Sequence, residues 1–118
     1  MASPQRLSRI QGQMLRELSD IVQRMKDPRV HGVNVCEVVV SRDLSFATIY
    51  ISIIGDEERQ QSALKALRKA AGHMRSHIAQ RIQLRYAPEL RIEYDRTAER
   101  AARVLSLIDG LATAENDQ

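Results

Sequence analysis

The sequence predicts a single α+β domain in which helices cover one face of a three-stranded sheet, in the order α-β-β-α-α-β with a short helix after the last strand. Two kinds of period carry this prediction. Apolar residues recur every three or four positions over 7–25 and again over 64–82, the spacing that gathers side chains on one helix face. Alternation with period two runs over 45–54 and 89–95, the mark of a sheet covered on one side. Chain length agrees, because 118 residues make one domain and bury enough surface for one core.

Each element has its own signals. Ser3-Pro4 offers an N-cap and a proline in the first turn, although a helix start near Arg6 or Ser8 fits as well. Leu7, Ile10, Met14, Leu18, Ile21 and Met25 form the apolar stripe of that helix. Pro28 stops it, since proline disfavours helical backbone in the residue before it. Val33 to Val40 is β-branched and reads as a strand. Ser41 to Leu44 is a short polar connection, so the strand from Ser45 to Ile54 pairs back as an antiparallel hairpin. In that second strand Ala47, Ile49, Ile51 and Ile53 share the inner face.

Asp56 caps the next helix, with Glu57 and Glu58 favoured by the dipole of its first turn. The stripe Leu64, Leu67, Ala71, Met74, Ile78, Ile82 then passes through Gly72, so two helices meet at a bend at Ala70–Gly72. Ala87-Pro88 ends the helical part. Leu90, Ile92 and Tyr94 point inward from a third strand, placed at a sheet edge because Pro88 is tolerated there. Asp95 or Thr97 caps a last helix with Ala101, Val104, Leu105 and Ile108. The expected organisation is one domain over 1–110 and a disordered tail over 111–118, which has too few apolar residues to pack.

Charge is distributed unevenly. The stretch from Lys65 to Arg85 holds Lys65, Arg68, Lys69, Arg75, Arg81 and Arg85 and no acid. The whole chain has 18 basic and 15 acidic residues, so the remainder is net acidic. A merely solvated helix face mixes Glu with Lys in i,i+4 pairs, and an acid-free one points to a phosphate-binding surface. The first helix reads mostly as a solvated face, its Arg16 and Arg24 diluted by Glu17, Asp20 and Asp27, and Arg6 and Arg9, ahead of every acid, are the exceptions. With Phe46, Tyr50, Tyr86 and Tyr94 as the whole aromatic set, recognition of backbone and shape is expected rather than stacking of several bases. The competing class is a protein-interaction module that docks a partner through its open sheet or amphipathic helices, with the cations serving solubility.

Other chemistry is weakly signalled. His73 and His77 have the spacing of two metal ligands on one helix, but Met74 stands where H-E-x-x-H needs its Glu and no third ligand is near. Ser41 and Asp43 read as turn chemistry. Cys36, alone in the chain, excludes an internal disulfide, fits a reducing compartment and is expected buried and inert. No Gly-rich phosphate loop of the G-x-x-x-x-G-K-[ST] type occurs. No apolar run reaches membrane-span length and no signal peptide is evident, so a soluble cytoplasmic protein without enzymatic activity is expected.

The order α-β-β-α-α-β resembles the type II KH domain, which binds RNA where its two successive helices meet. KH domains carry a Gly-x-x-Gly loop there, and this chain reads Ala70-Ala71-Gly72. That departure resembles one family, ribosome-binding factor A, in which an Ala-x-Gly kink replaces the loop. Arg6 and Arg9 on a basic first helix, Lys26-Asp27-Pro28-Arg29, Val40-Ser41-Arg42-Asp43-Leu44-Ser45 and Pro88-Glu89-Leu90 agree with it, and the likeness covers nearly all but the tail.

The resemblance implies a monomeric small-subunit assembly factor that binds the free or immature 30S particle. It further implies help in late maturation of 16S rRNA, greatest importance in the cold, and release assisted by a ribosome-associated GTPase. The residues themselves lead to the expectation of no cofactor and no metal. In the light of the resemblance Arg75, Arg81 and Arg85 would clamp phosphates, with Lys65, Arg68, Lys69 and His73 beside them. Ala70 and Gly72 would let an RNA backbone close in, Gly72 taking positive φ at the bend. Without the Gly-x-x-Gly loop, four-nucleotide sequence reading of the usual KH kind is not expected.

Overall fold

The computed structural model describes residues 2–97. Helix α1 (Pro4–Arg24) begins at Ser3, whose Oγ accepts the Arg6 N–H at 3.2 Å, so the earliest of the possible starts is the one used. The chain extends at Met25, and Asp27 caps a 3-10 turn over Pro28–Val30 that packs against the helix over Glu57–Lys69. Strands β1 (Asn34–Val40) and β2 (Phe46–Ser52) form the antiparallel hairpin. Helices α2 (Glu57–Lys69) and α3 (Ala71–Arg81) follow, then β3 (Glu89–Tyr94). Strand β3 lies parallel beside β2, giving the order β1-β2-β3. Parallel neighbours need a long crossover, and α2–α3 is that crossover. The last helix and the tail expected from sequence lie outside the described residues.

All the helices lie on one face of the sheet. Val35, Val38 and Val40 of β1, Ala47, Ile49 and Ile51 of β2, and Leu90 and Ile92 of β3 are buried against Ile10, Met14 and Leu18 of α1, Leu64 and Leu67 of α2, and Met74 and Ile78 of α3. The opposite face carries Glu37, Val39, Thr48, Tyr50 and Arg91, the last with its guanidinium 3.8 Å over the Phe46 ring. One detail of β1 escapes a simple period. Val35 and Val38 are three apart, yet both are buried, because the register shifts between Val35 and Glu37. The extra residue of this bulge is Cys36. It is therefore half-buried rather than fully buried as expected, with its Sγ 3.2 Å from the Ser52 hydroxyl.

Both free sheet edges are met by side chains. On β1 the Gln11 Oε1 accepts the Val40 N–H at 2.8 Å. On β3 the Arg68 Nε donates to the Ile92 carbonyl at 3.0 Å.

The hairpin loop is held by Asp43, whose Oδ1 accepts the Ser45 and Ser41 hydroxyls at 2.6 and 2.8 Å and the Ser45 N–H at 3.1 Å. These donors favour the carboxylate and hold its pKa down from 3.8 to about 2, the Ser45 hydroxyl contributing most. A depressed acid pKa stabilises the fold above the unfolded value and loses that contribution as pH falls through the folded one. Asp43→Ala is thus expected to lower the melting temperature slightly at pH 7, the group being exposed. The gap to the parent should close as pH drops from about 4 to about 2, which melting curves across that range would check.

Candidate nucleic-acid interface

Helices α2 and α3 meet at Ala70, whose backbone (φ −87°, ψ 0°) ends one helix and opens the next. Leu67 and Met74, about one turn to either side, are 0% and 1% exposed and fix both helices to the sheet. Alanine offers no group to cap α3. No side chain caps the start of α3, and Gly72 in its first turn carries no side chain over it.

Gly72 does not take positive φ; Gly32 (82°) and Gly55 (150°) do. The expectation for Gly72 is therefore corrected: the backbone bends at Ala70, and Gly72 is an ordinary helical residue. A Cβ at Gly72 would meet nothing within 4 Å, so the missing side chain leaves open space on the outer surface. Gly72→Ala is expected to stabilise the fold by up to roughly 1 kcal/mol, through helix propensity and a stiffer unfolded chain. It should also weaken ligand binding, because the new methyl stands where a phosphate backbone would approach. Denaturant unfolding and a binding titration on the same variant separate the two effects.

Beside the bend lies a groove of about 470 Å³, lined by Arg68, Ala71, Gly72 and Arg75 on the helix side and by Glu89 to Glu93 of β3. Its two helix arginines are partly committed. Arg68 donates to the Ile92 carbonyl and reaches Glu93 at 3.4 Å. Arg75 donates through Nε and Nη2 to the Ala87 carbonyl at 3.0 and 2.8 Å, which anchors the segment entering β3. A second cleft, of about 400 Å³, brings Arg6, Arg9 and Gln13 of α1 against Arg81, Ile82, Gln83 and Leu84 at the end of α3. Arg6 and Arg9 thus lie beside the end of the basic segment.

Arg81 has a different task from the one expected. Its Nη1 donates to Asp20 at 2.8 Å and to Glu17 at 3.0 Å, with the guanidinium side chain only 30% exposed. Asp20 is held below the usual carboxylate range by Arg81 first and Arg24 second. Arg81 therefore ties α3 to α1 across the domain and is not a free phosphate clamp. Its acids come from a helix 61 and 64 positions earlier, which a window over the acid-free segment does not see. Arg24 pairs with Asp20 at 3.0 Å, in line with its expected dilution.

Lys65, Lys69, Arg6, Arg9 and Arg85 are exposed and form no ion pair within the described residues. Arg85 stands 5.7 Å over the Tyr86 ring. His73 and His77 touch through their Nε2 atoms at 3.0 Å in a T-shaped pair, one ring donating to the other. They edge a more apolar cleft with Ile21, Met25 and Asp27. Among the described residues no three His, Cys, Asp or Glu side chains gather to hold a metal ion, and no helix is long and apolar enough to cross a membrane.

A helix–bend–helix crossover over a sheet of order β1-β2-β3, with cations at the bend and no Gly-x-x-Gly loop, defines a KH-like α+β domain. The family model for ribosome-binding factor A matches residues 6–108, and the chain belongs to that family. Solved structures agree. The crystal structure of ribosome-binding factor A from Thermus thermophilus is similar with a TM-score of 0.71 and 28% identity, over 77% of this chain and 97% of that one. The solution structure of a candidate ribosome-binding factor A from Thermotoga maritima gives 0.72 and 28%, over 82% and 93%. A homology model of the Thermus thermophilus factor, fitted into a cryo-EM map of its complex with the 30S subunit, gives 0.62 and 30%, over 72% and 90%.

Proposed function

We propose that this chain is a ribosome assembly factor that binds the free or immature 30S subunit and assists late maturation of 16S rRNA. The observation that carries the reading is the bend at Ala70, beside the exposed cations Lys65 and Lys69 and two arginine-lined clefts, in a chain of the ribosome-binding factor A family. Phosphates on an RNA backbone match that surface in charge and in the absence of side-chain bulk at Gly72. The protein carries out no chemistry on the rRNA. It works in the cytoplasm as a monomer, matters most in the cold, and leaves the subunit with the help of a ribosome-associated GTPase.

Pull-down of the tagged chain from lysate, probed for 16S rRNA against total protein, tests the reading. Affinity for purified small subunits supplies the second test. Three or four phosphate contacts predict a slope of about −2 to −4 for log K against log salt. A slope near zero would point to apolar docking on a protein partner instead.

A further inference from the structure

Resting on that reading, we infer that Tyr86 is a base-stacking residue: it receives one unstacked nucleobase of the bound RNA between the two basic clefts. Three observations lead there. Tyr86 is 75% exposed, against 43% for Val39 and 95% for Ile54, the other exposed large apolar side chains among the described residues. It is the one aromatic among these three, and its hydroxyl makes no hydrogen bond within the described residues.

The loop that carries it is held at both ends, so the ring projects from a fixed base. Ile82 and Pro88 are buried and Leu84 packs against the core. Arg75 grips the Ala87 carbonyl with two N–H groups, and the Glu89 N–H reaches the Ser45 carbonyl at 2.9 Å. A tyrosine on such a loop presents a large flat face with few torsions to freeze.

Electrostatics selects the occupant. Ile54, still more exposed, precedes Gly55-Asp56-Glu57-Glu58, where phosphates are repelled. Tyr86 has Arg85 over its own ring, the Arg75 groove on one side along the chain, where Arg68, Arg75 and Arg91 outnumber Glu89 and Glu93, and the Arg6–Arg9 cleft meeting Gln83 and Leu84 on the other. A strand whose phosphates run from one cleft to the other passes this loop and can turn a base onto the ring. Every base has a π face, so the contact adds affinity without demanding a sequence.

Titration of purified small ribosomal subunits with Tyr86 variants tests the inference. Tyr86→Ala should bind about five- to a hundredfold more weakly, the range found when a stacking aromatic is removed. Its salt slope should equal that of the parent, because no phosphate contact is lost. Tyr86→Phe should bind as the parent does. The chain has no tryptophan, so Tyr86→Trp introduces a single reporter whose emission should be quenched on binding. Full affinity in Tyr86→Ala overturns the inference. So does full affinity in Tyr86→Leu, which would mean apolar docking on a ribosomal protein, and so does an unchanged Trp emission. Failure of the parent chain itself to bind subunits would instead remove the reading under Proposed function.

Discussion

A chain with Arg6, Arg9, Lys65 and Lys69 all replaced by Glu is expected to bind purified small subunits about a hundredfold more weakly or worse, with its far-UV circular dichroism unchanged. The four cations are exposed and enter no ion pair within the described residues, so reversing them removes no bond of the fold. Loss of even two charge-assisted contacts to phosphate corresponds to roughly a hundredfold in affinity, and the new carboxylates repel the backbone as well. The control pair is Arg16 and Arg24, on the first helix, where Arg24 already faces Asp20. Their reversal should cost far less. Equal losses from both sets would make general charge the cause, and undiminished binding by the fourfold variant would favour the protein-docking alternative.

Arg81 does not belong in that experiment. Its replacement by Glu would set three carboxylates together between α1 and α3, and any loss of binding would follow from loosening of the fold. This shows where sequence reading stops. Starts and stops written within a few residues were legible: the Ser3 and Asp56 caps, the stop before Pro28, the inner face of β2 and the edge position of β3. What depends on the meeting of distant elements was not. The acids that hold Arg81 lie on another helix, and the bulge at Cys36 changes the parity of β1 through its pairing with β2. Gly72 misled for a different reason. Glycine in an apolar helical stripe marks a bend or bare space equally well, and here the bend lies two residues earlier at Ala70.

The largest effect on stability is expected at the residue that seats this bend. Leu67 is 0% exposed, on α2 within one turn of Ala70, in the cluster with Ile49, Ile51 and Met74. Leu67→Ala removes buried methyl groups and leaves a cavity that the packed sheet cannot close. The expected cost is about 2–5 kcal/mol, a large share of the ~5–15 kcal/mol that holds such a domain. Denaturant unfolding should show a lower midpoint at unchanged slope. A loss below about 0.5 kcal/mol would mean that the helix pair resettles freely on the sheet, and the bend would then not be a fixed platform.

The pairing of Gln11 with β1 and of Arg68 with β3 has a consequence for the protein in a crowded solution. A strand from a second molecule, seeking to lengthen the sheet, meets at each border a backbone group already engaged by a long polar side chain, and must first displace it. Flat growth into fibres, the usual hazard of a small sheet with two open borders, is thereby discouraged at both. On the β3 side the guard is Arg68, which also lines the groove beside the bend, so that one residue keeps molecules apart and shapes the surface proposed for RNA.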